Sequence, residues 1–483
     1  MSAQHETLEP GIVWERFFEL TALPRPSREE EAARTHVLAW AERHGWEAET
    51  DAAGNVVVRV PPAPGREDAP AVVLQAHLDM VCERDPDSPY DPREGRIHVV
   101  REGDWLAAEG TTLGADNGIG VALAMGAAED PSVRHGPLEL LFTVCEEQGL
   151  EGAKALEASI VTGRLLVNLD GTSDGAITVG CAGSSHTFAR IRLEPTPVDG
   201  GRALRIELTG ARGGHSGGDI HRGRANAVKG LGRLLDRARA VGTIRLVELE
   251  GGVSRNAIPR EARAVVWIAG EDEEAIRTAV ESELAVLLRE HAGTDDGLVV
   301  GIAPARAVAA ASVEASDRAL DVLRSLPTGV VALAHGLDEV AETSTSVNVA
   351  TTDAGVVVFA SMTRSSSAAG LEEVVSTIER IAETHAVELE VQRSYRPWEP
   401  DLDSPLLASA RATFRALFEA DPRLDVVHGG LECAVIGEKL PGIQMISIGP
   451  TILGPHAPGE SVSISATQRA YRLLAELLDD LSR

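Results

Sequence analysis

Leu74-Gln75-Ala76-His77-Leu78-Asp79-Met80 ends an apolar run in a histidine and an aspartate two residues apart. In extended backbone, residues i and i+2 project to the same side of the chain. His77 and Asp79 can therefore work as a pair, the imidazole facing a metal ion or a proton and the carboxylate fixing its orientation from behind. Other apolar runs end the same way. Residues 138–144 are followed by Glu146-Glu147, residues 165–169 lead into Asp170, and residues 444–449 precede a loop carrying His456. Near-continuous apolar strands separated by helices indicate a mixed, mostly parallel sheet covered on both faces, an α/β architecture. Ligands of an open α/β sheet bind beyond the carboxyl ends of its strands, so one edge should collect His77, Glu146, Glu147 and Asp170.

Working outward, residues 11–23 have helical apolar spacing and stop at Pro24 and Pro26. Ser27 with Glu30 makes a capping box for a helix expected to run to His44, where Gly45 ends it. A short strand is expected over 55–60. Gly114-Ala115-Asp116-Asn117-Gly118 opens an Ala-rich helix with Asp116 at or just before its start. From 185 to 395 the style changes to half-exposed alternating strands and amphipathic helices in a β-α-β-β-α-β order, with a looser version from 316 to 391. The chain is therefore expected to hold a discontinuous domain over 1–184 and 396–483, with an α+β domain inserted at 185–395.

The 483 residues are 43% hydrophobic, enough for a core in each of two or three domains, and the net charge of -29 argues against nucleic-acid or anionic-membrane partners. The N-terminal residues lack a signal-like pattern and no stretch has the apolar length of a membrane span, so a cytoplasmic protein is expected. Four scattered cysteines without a C-x-x-C pair, and six asparagines none of which starts a glycosylation sequon, fit the same compartment.

The candidates are thus His77, Asp79, Asp116, Glu146, Glu147, Asp170 and His456. Two histidines with several carboxylates suit zinc or another borderline divalent ion better than calcium or magnesium. Two such ions fit if one carboxylate, Asp116, is shared, and a close metal pair can polarise a carbonyl and activate water at neutral pH. In Glu146-Glu147, one carboxylate can bind metal while its neighbour takes a proton. A nucleotide site is disfavoured: there is no P-loop motif, and Asp116 would repel a pyrophosphate.

Several motifs then carry a resemblance. Gln75-Ala76-His77-Leu78-Asp79-Met80-Val81, Gly110-Thr111-Thr112-Leu113-Gly114-Ala115-Asp116-Asn117-Gly118 and Gly213-Gly214-His215-Ser216-Gly217-Gly218 resemble the aminoacyl-histidine dipeptidases. So do Arg255-Asn256-Ala257-Ile258-Pro259-Arg260, Gly430-Leu431-Glu432-Cys433, and Ser447-Ile448-Gly449-Pro450 followed by Gly454-Pro455-His456. This is a group of Xaa-His dipeptidases among the co-catalytic di-zinc exopeptidases, and the likeness runs over essentially the whole chain. It implies two divalent ions, zinc foremost with manganese or cobalt as alternatives, on His77, Asp116, Glu147, Asp170 and His456, with Asp116 bridging. It implies Asp79 as the orienter of His77 and Glu146 as general base and then acid. It also implies an inserted lid that mediates a homodimer, with His215 approaching the reacting carbonyl and Asn256 and Arg364 gripping a dipeptide. The same metal site would serve a tripeptidase, a carboxypeptidase or an N-acyl amino acid deacylase, and a non-catalytic metal-binding partner protein is the reading from another class. After Asp170, Gly171-Thr172-Ser173-Asp174-Gly175 departs from the more acidic stretch expected there.

Overall fold

The apolar runs pair side by side. In the computed structural model, which describes residues 8–335 and 340–483, Leu138–Thr143, Val72–His77, Leu165–Asn168 and Gln444–Ser447 are successive parallel neighbours. Glu47–Thr50 and Val56–Val60 extend one side antiparallel, and Ala176–Cys181 joins Gln444–Ser447 antiparallel on the other. The sheet is therefore parallel at its centre and antiparallel at its flanks. Every residue of Val72–His77 and of Leu138–Thr143 is buried, as expected of strands with both faces covered. Opposite His77 stands Thr143, and opposite Gln75 stands Asn168, so the carboxyl ends of the central strands come level. Gly11–Thr21 and Ala115–Glu129 pack together, as do Pro405–Phe418 and Ile464–Leu481.

The chain forms two compact units. The first comprises the chain up to Cys181, Pro400–Val426 and Leu431–Arg483; the second comprises Ala182–Glu399 and Val427–Gly430. In the first unit, a small sheet joins Ile452–Leu453, Ser461–Ser463, Trp105–Ala108 and Val99–Glu102. It fixes the loop that carries His456 to a hairpin some 350 residues earlier in the chain. In the second unit, Arg202–Thr209, Ala262–Ile268, Ile244–Gly251, Ala341–Asp353 and Val356–Ser365 belong to one nine-stranded sheet. Ala227–Arg239, Glu273–Glu290, Val313–Ser325 and Ala368–Thr384 contribute apolar side chains to a single core with it.

The capping box does not form. Glu31–His44 does end at Gly45 in a left-handed C-cap, but no side chain caps its start. Ser27 instead donates its hydroxyl to Asp79 Oδ2 at 2.7 Å. The Glu30 carboxylate accepts the backbone N–H groups of Arg28 and Cys145 at 2.8 and 2.9 Å. Both side chains are drawn to loops that come close only in the fold. All four cysteines are free thiols, and among the described residues no helix is long and apolar enough to cross a membrane.

Candidate metal centre

His77 is the last residue of its strand and is buried. Its Nδ1 lies 3.1 Å from the Asp79 carbonyl oxygen and 3.3 Å from Asp79 Oδ1. Its Nε2 turns the other way, 3.1 Å from Asp116 Oδ1 and 3.7 Å from Asp170 Oδ1. His456 approaches from the opposite side, with Nε2 3.3 Å from Asp116 Oδ2 and 3.0 Å from Glu147 Oε1. Asp116 thus shows one oxygen to each imidazole. Ligand-capable atoms of His77, Asp116 and Asp170 lie within 4.8 Å of one another, and so do those of Asp116, Glu147 and His456 and those of His77, Glu146 and Glu147.

The local backbone explains how these side chains converge. Asp116 has extended backbone (φ -80°, ψ 108°) inside the first turn of Ala115–Glu129, which turns its carboxylate away from a helix-cap role. Asn117 donates its amide to Leu169 O at 3.2 Å and to Asp170 Oδ1, which ties the aspartate of one strand end to the helix start. Cys145 (φ 52°) and His456 (φ 65°) occupy the left-handed region, an arrangement that residues with a Cβ adopt where the surrounding structure enforces it. Behind His77, the Asp79 carboxylate accepts the N–H groups of Glu146 at 3.0 Å and Glu147 at 3.2 Å. The histidine and the double glutamate therefore share one anchor.

The charges are out of balance. Burial raises the Glu146 carboxyl well above its ordinary range, against the pull of His77, and Asp170 and Glu147 raise it further. Burial does the same to Asp170, reinforced by Asp116. Burial would depress His77, but its bonds to Asp116 and Asp79 hold its pKa well above normal, and bonds to Asp116 and Glu147 lift His456 to about 11. Burial would raise Asp79, yet His77 above all, with Ser27 and the Glu146 N–H, brings it down to about 2. Such a cluster gathers protons because it lacks positive charge. Glu147 Oε1 is buried and faces the His456 imidazole at 3.0 Å. Two imidazoles and a set of carboxylates converging within bonding reach form a donor set that divalent cations satisfy.

The other three sequence candidates lie in the second unit. His215 is exposed, accepts the Gly218 N–H on Nδ1 at 2.9 Å, and pairs across a short ladder with Ala257, next to Asn256. Asn256 is also exposed, and its Oδ1 accepts from Ser254 at 2.6 Å. Arg364 is only 6% exposed, and its Nε has no hydrogen-bond partner. Gly217 separates the groups so narrowly that a Cβ there would lie 3.1 Å from both Arg364 Nε and His215 Cε1.

The sequence profile described as Peptidase family M20/M25/M40 matches residues 73–480. The chain belongs to this peptidase family. Among its M20 relatives, the cytosol non-specific dipeptidase of Escherichia coli is 36% identical over 98% of each chain. The crystal structure of aminoacylhistidine dipeptidase from Vibrio alginolyticus is 34% identical, with a TM-score of 0.89 over 98% of this chain and 97% of that one. Aminopeptidase PepT from Bacillus cereus shares the fold at 16% identity, with a TM-score of 0.59 over 99% of this chain and 100% of its own. M20 peptidases are metal-dependent, and the convergent imidazoles and carboxylates lie inside the matched region.

Sequence patterns gave no role to several residues that tie the candidate site together. Arg25 and Glu460 are buried charged groups outside the quoted motifs, and Glu432 is buried within Gly430-Leu431-Glu432-Cys433, which carried the resemblance without assigning it a role. Glu432 accepts from Gln75 Nε2 and Thr143 Oγ1, each at 2.5 Å, and Asn168 Nδ2 donates to Gln75 Oε1 at 2.6 Å. Burial pushes the Glu432 carboxyl up to about 7. The available signal was polar residues inside apolar strands: Gln75, Thr143 and Asn168 each interrupt a run that otherwise reads as core.

Proposed function

We propose that this chain is a metal-dependent dipeptidase that hydrolyses unblocked dipeptides, those with C-terminal histidine included. The observation that carries the reading is the pair of ligand triads sharing Asp116, with Glu146 beside them. His77, Asp116 and Asp170 would hold one divalent ion, and Asp116, Glu147 and His456 the other. Zinc suits this donor set best, and manganese or cobalt would substitute. The ions supply Lewis acidity, polarising the scissile carbonyl and making the attacking water acidic.

The remaining work belongs to the chain. Asp79 fixes the His77 ring through Nδ1 and aims the Glu146-Glu147 backbone through both oxygens. Glu146 takes the proton of the attacking water on its carboxylate and passes it to the leaving nitrogen as the C–N bond breaks. Arg364, buried and without a carboxylate counter-ion among the described residues, holds the substrate's terminal carboxylate, Asn256 grips a polar group of the substrate, and His215 approaches the reacting carbonyl. The dipeptide class is supported by the names of the relatives from E. coli and V. alginolyticus. We place the protein in the cytoplasm and assign its second unit (185–395 by sequence) the role of lid and homodimer surface, where Val331 and Leu333 stand exposed on Gly329–Leu333.

The test joins metal analysis to a substrate panel. Glu146→Ala should keep both metal equivalents and lose about 10²- to 10⁴-fold in kcat, whereas His456→Ala should lose metal as well. Wild type should prefer Ala-His to a tripeptide and to an N-acetyl amino acid. A preference for the N-acetyl substrate would overturn the dipeptidase reading, and a two-zinc protein that cleaves nothing would make it a metal-binding partner protein.

A further inference from the structure

Arg25 and Glu460 are 1% and 2% exposed, and both bond to backbone groups. Arg25 Nη1 donates to the carbonyls of Leu78 and Asp79, each at 3.0 Å, and Nη2 donates to Gly114 O. Glu460 Oε2 accepts the N–H groups of Leu113 at 2.8 Å and Gly114 at 2.9 Å, while Oε1 accepts that of Asp116 at 3.1 Å. Gly114 is therefore gripped from both sides, its carbonyl by a guanidinium and its N–H by a carboxylate. Its φ of 69° suits glycine, and a Cβ there would run into Arg25 Nη2 and into Met80 Sδ at 2.6 Å; a Cβ on Gly118 would meet the same guanidinium at 2.6 Å.

These contacts join three of the segments that carry the proposed ligands, those of His77, Asp116 and His456. Arg25 ties the Leu78–Asp79 peptides, just beyond His77, to Gly114, two residues before Asp116. Glu460 lies four residues after His456, and its own segment is tied to the same region, with Gly459 N donating to Thr111 O at 3.1 Å and Ala108 N to Glu460 O at 3.3 Å. Charge-assisted bonds to backbone are shorter and about twice as strong as neutral ones, so this pair pins the backbone of these segments.

We propose that Arg25 and Glu460 are positioning residues, a buried clamp that sets Asp116 and His456 at the separation two metal ions require. The inference rests on the assignment of those two residues as ligands. Glu460→Gln keeps the shape but turns an NH₂ against the Asp116 N–H if its carbonyl stays on Leu113 and Gly114. Arg25→Lys keeps the charge but replaces the planar fork with a point charge.

Zinc is titrated calorimetrically into metal-free wild type, Glu460→Gln, Glu460→Asp, Arg25→Lys and His456→Ala, with the cobalt absorption spectrum as a report on coordination. Tyr471→Phe serves as the control for stability loss alone, since it removes a bond to Asp130 Oδ2 at 2.8 Å elsewhere in the same unit. The expected result is two zinc equivalents in wild type and in Tyr471→Phe, and affinity about 10- to 100-fold weaker in the clamp variants, the range for removing a group that orients a ligand. The cobalt spectrum of the clamp variants should be altered, and their kcat should fall with KM little changed. If Glu460→Gln does not fold, Glu460→Asp and Arg25→Lys decide by the same titration. Clamp variants that bind both ions as wild type does, while His456→Ala loses one, overturn the clamp alone. A wild type that takes up no ion pair, or a His456→Ala protein that keeps both, overturns the ligand assignment and the clamp with it.

Discussion

The Asp79 carboxylate stands 3.3 Å from His77 Nδ1, and the same group receives the backbone N–H groups that open the Glu146-Glu147 pair. One side chain thus orients a proposed ligand and the proposed base. In Asp79→Asn, an amide at the Oδ2 position would donate to Ser27 Oγ instead of accepting from it, and would oppose the Glu147 N–H. We expect metal affinity to fall about 10- to 100-fold, with kcat falling as well. Zinc competition against a chromophoric chelator and steady-state kinetics on Ala-His check it, and unchanged values for both would remove Asp79 from the machinery.

Removal of metal should lower thermal stability. Anything that binds the folded chain alone stabilises it by about 2.7 kcal/mol per site at 100 times its Kd. Calorimetry of chelator-treated protein should therefore show a lower Tm that zinc restores, and Asp116→Asn, which weakens the shared position, should show little restoration. Equal Tm with and without zinc in wild type would contradict the metal centre.

Folding stability should fall in mild acid through His428. This imidazole lies 2.6 Å from Ser344 Oγ, and burial, with the Arg364 charge, lowers its pKa to about 4 from 6.5. Between those values the unfolded chain binds a proton that the folded chain does not, so stability is full above pH 6.5 and is lost as pH falls towards 4. The loss is at most about 3 kcal/mol, and less for the part of the ring that water reaches. Urea unfolding at pH 7.5 and pH 4.5 should show a steeper loss for wild type than for His428→Gln, and parallel profiles would refute it.

Arg364 should act through binding. Its guanidinium is buried, and an added carboxylate would satisfy it with charge-assisted bonds worth about 1.5–3 kcal/mol. Arg364→Ala should raise KM for a free dipeptide about 10- to 150-fold. A dipeptide amide, which lacks the carboxylate, should be cleaved equally poorly by both proteins. If the amide and the acid lose equally on substitution, the carboxylate role is wrong.

The catalytic sheet was legible because its signal is one-dimensional: a buried parallel strand must be apolar along its length, so His77, Glu146 and Asp170 stand out as the places where each run stops. Asp116 and His456 were legible through glycine-rich turns that strand periodicity alone would have missed. Arg25 and Glu460 were not, and Glu432 was seen only as part of a motif and without a role, because their partners are backbone groups and side chains that only tertiary contact supplies. Ser27 and Glu30 misled for the same reason. Their spacing fits a local cap, but a carboxylate at residue 79 and an N–H at residue 145 compete better than the helix start does.

The strand Gln444–Ser447 lies between Leu165–Asn168 and Ala176–Cys181, segments made some 270 residues before it. A nascent chain leaving the ribosome can assemble the Ala182–Glu399 part of the second unit well before this strand exists, but it must hold a gap open in the first sheet until the strand arrives. His456 comes later still. A chain cut short between residues 400 and 443 keeps most of its mass and four of the five proposed ligands, yet it has an unclosed sheet with bare edges that other chains can pair with. Completion of the sheet and arrival of the last proposed ligand thus fall close together, late in synthesis.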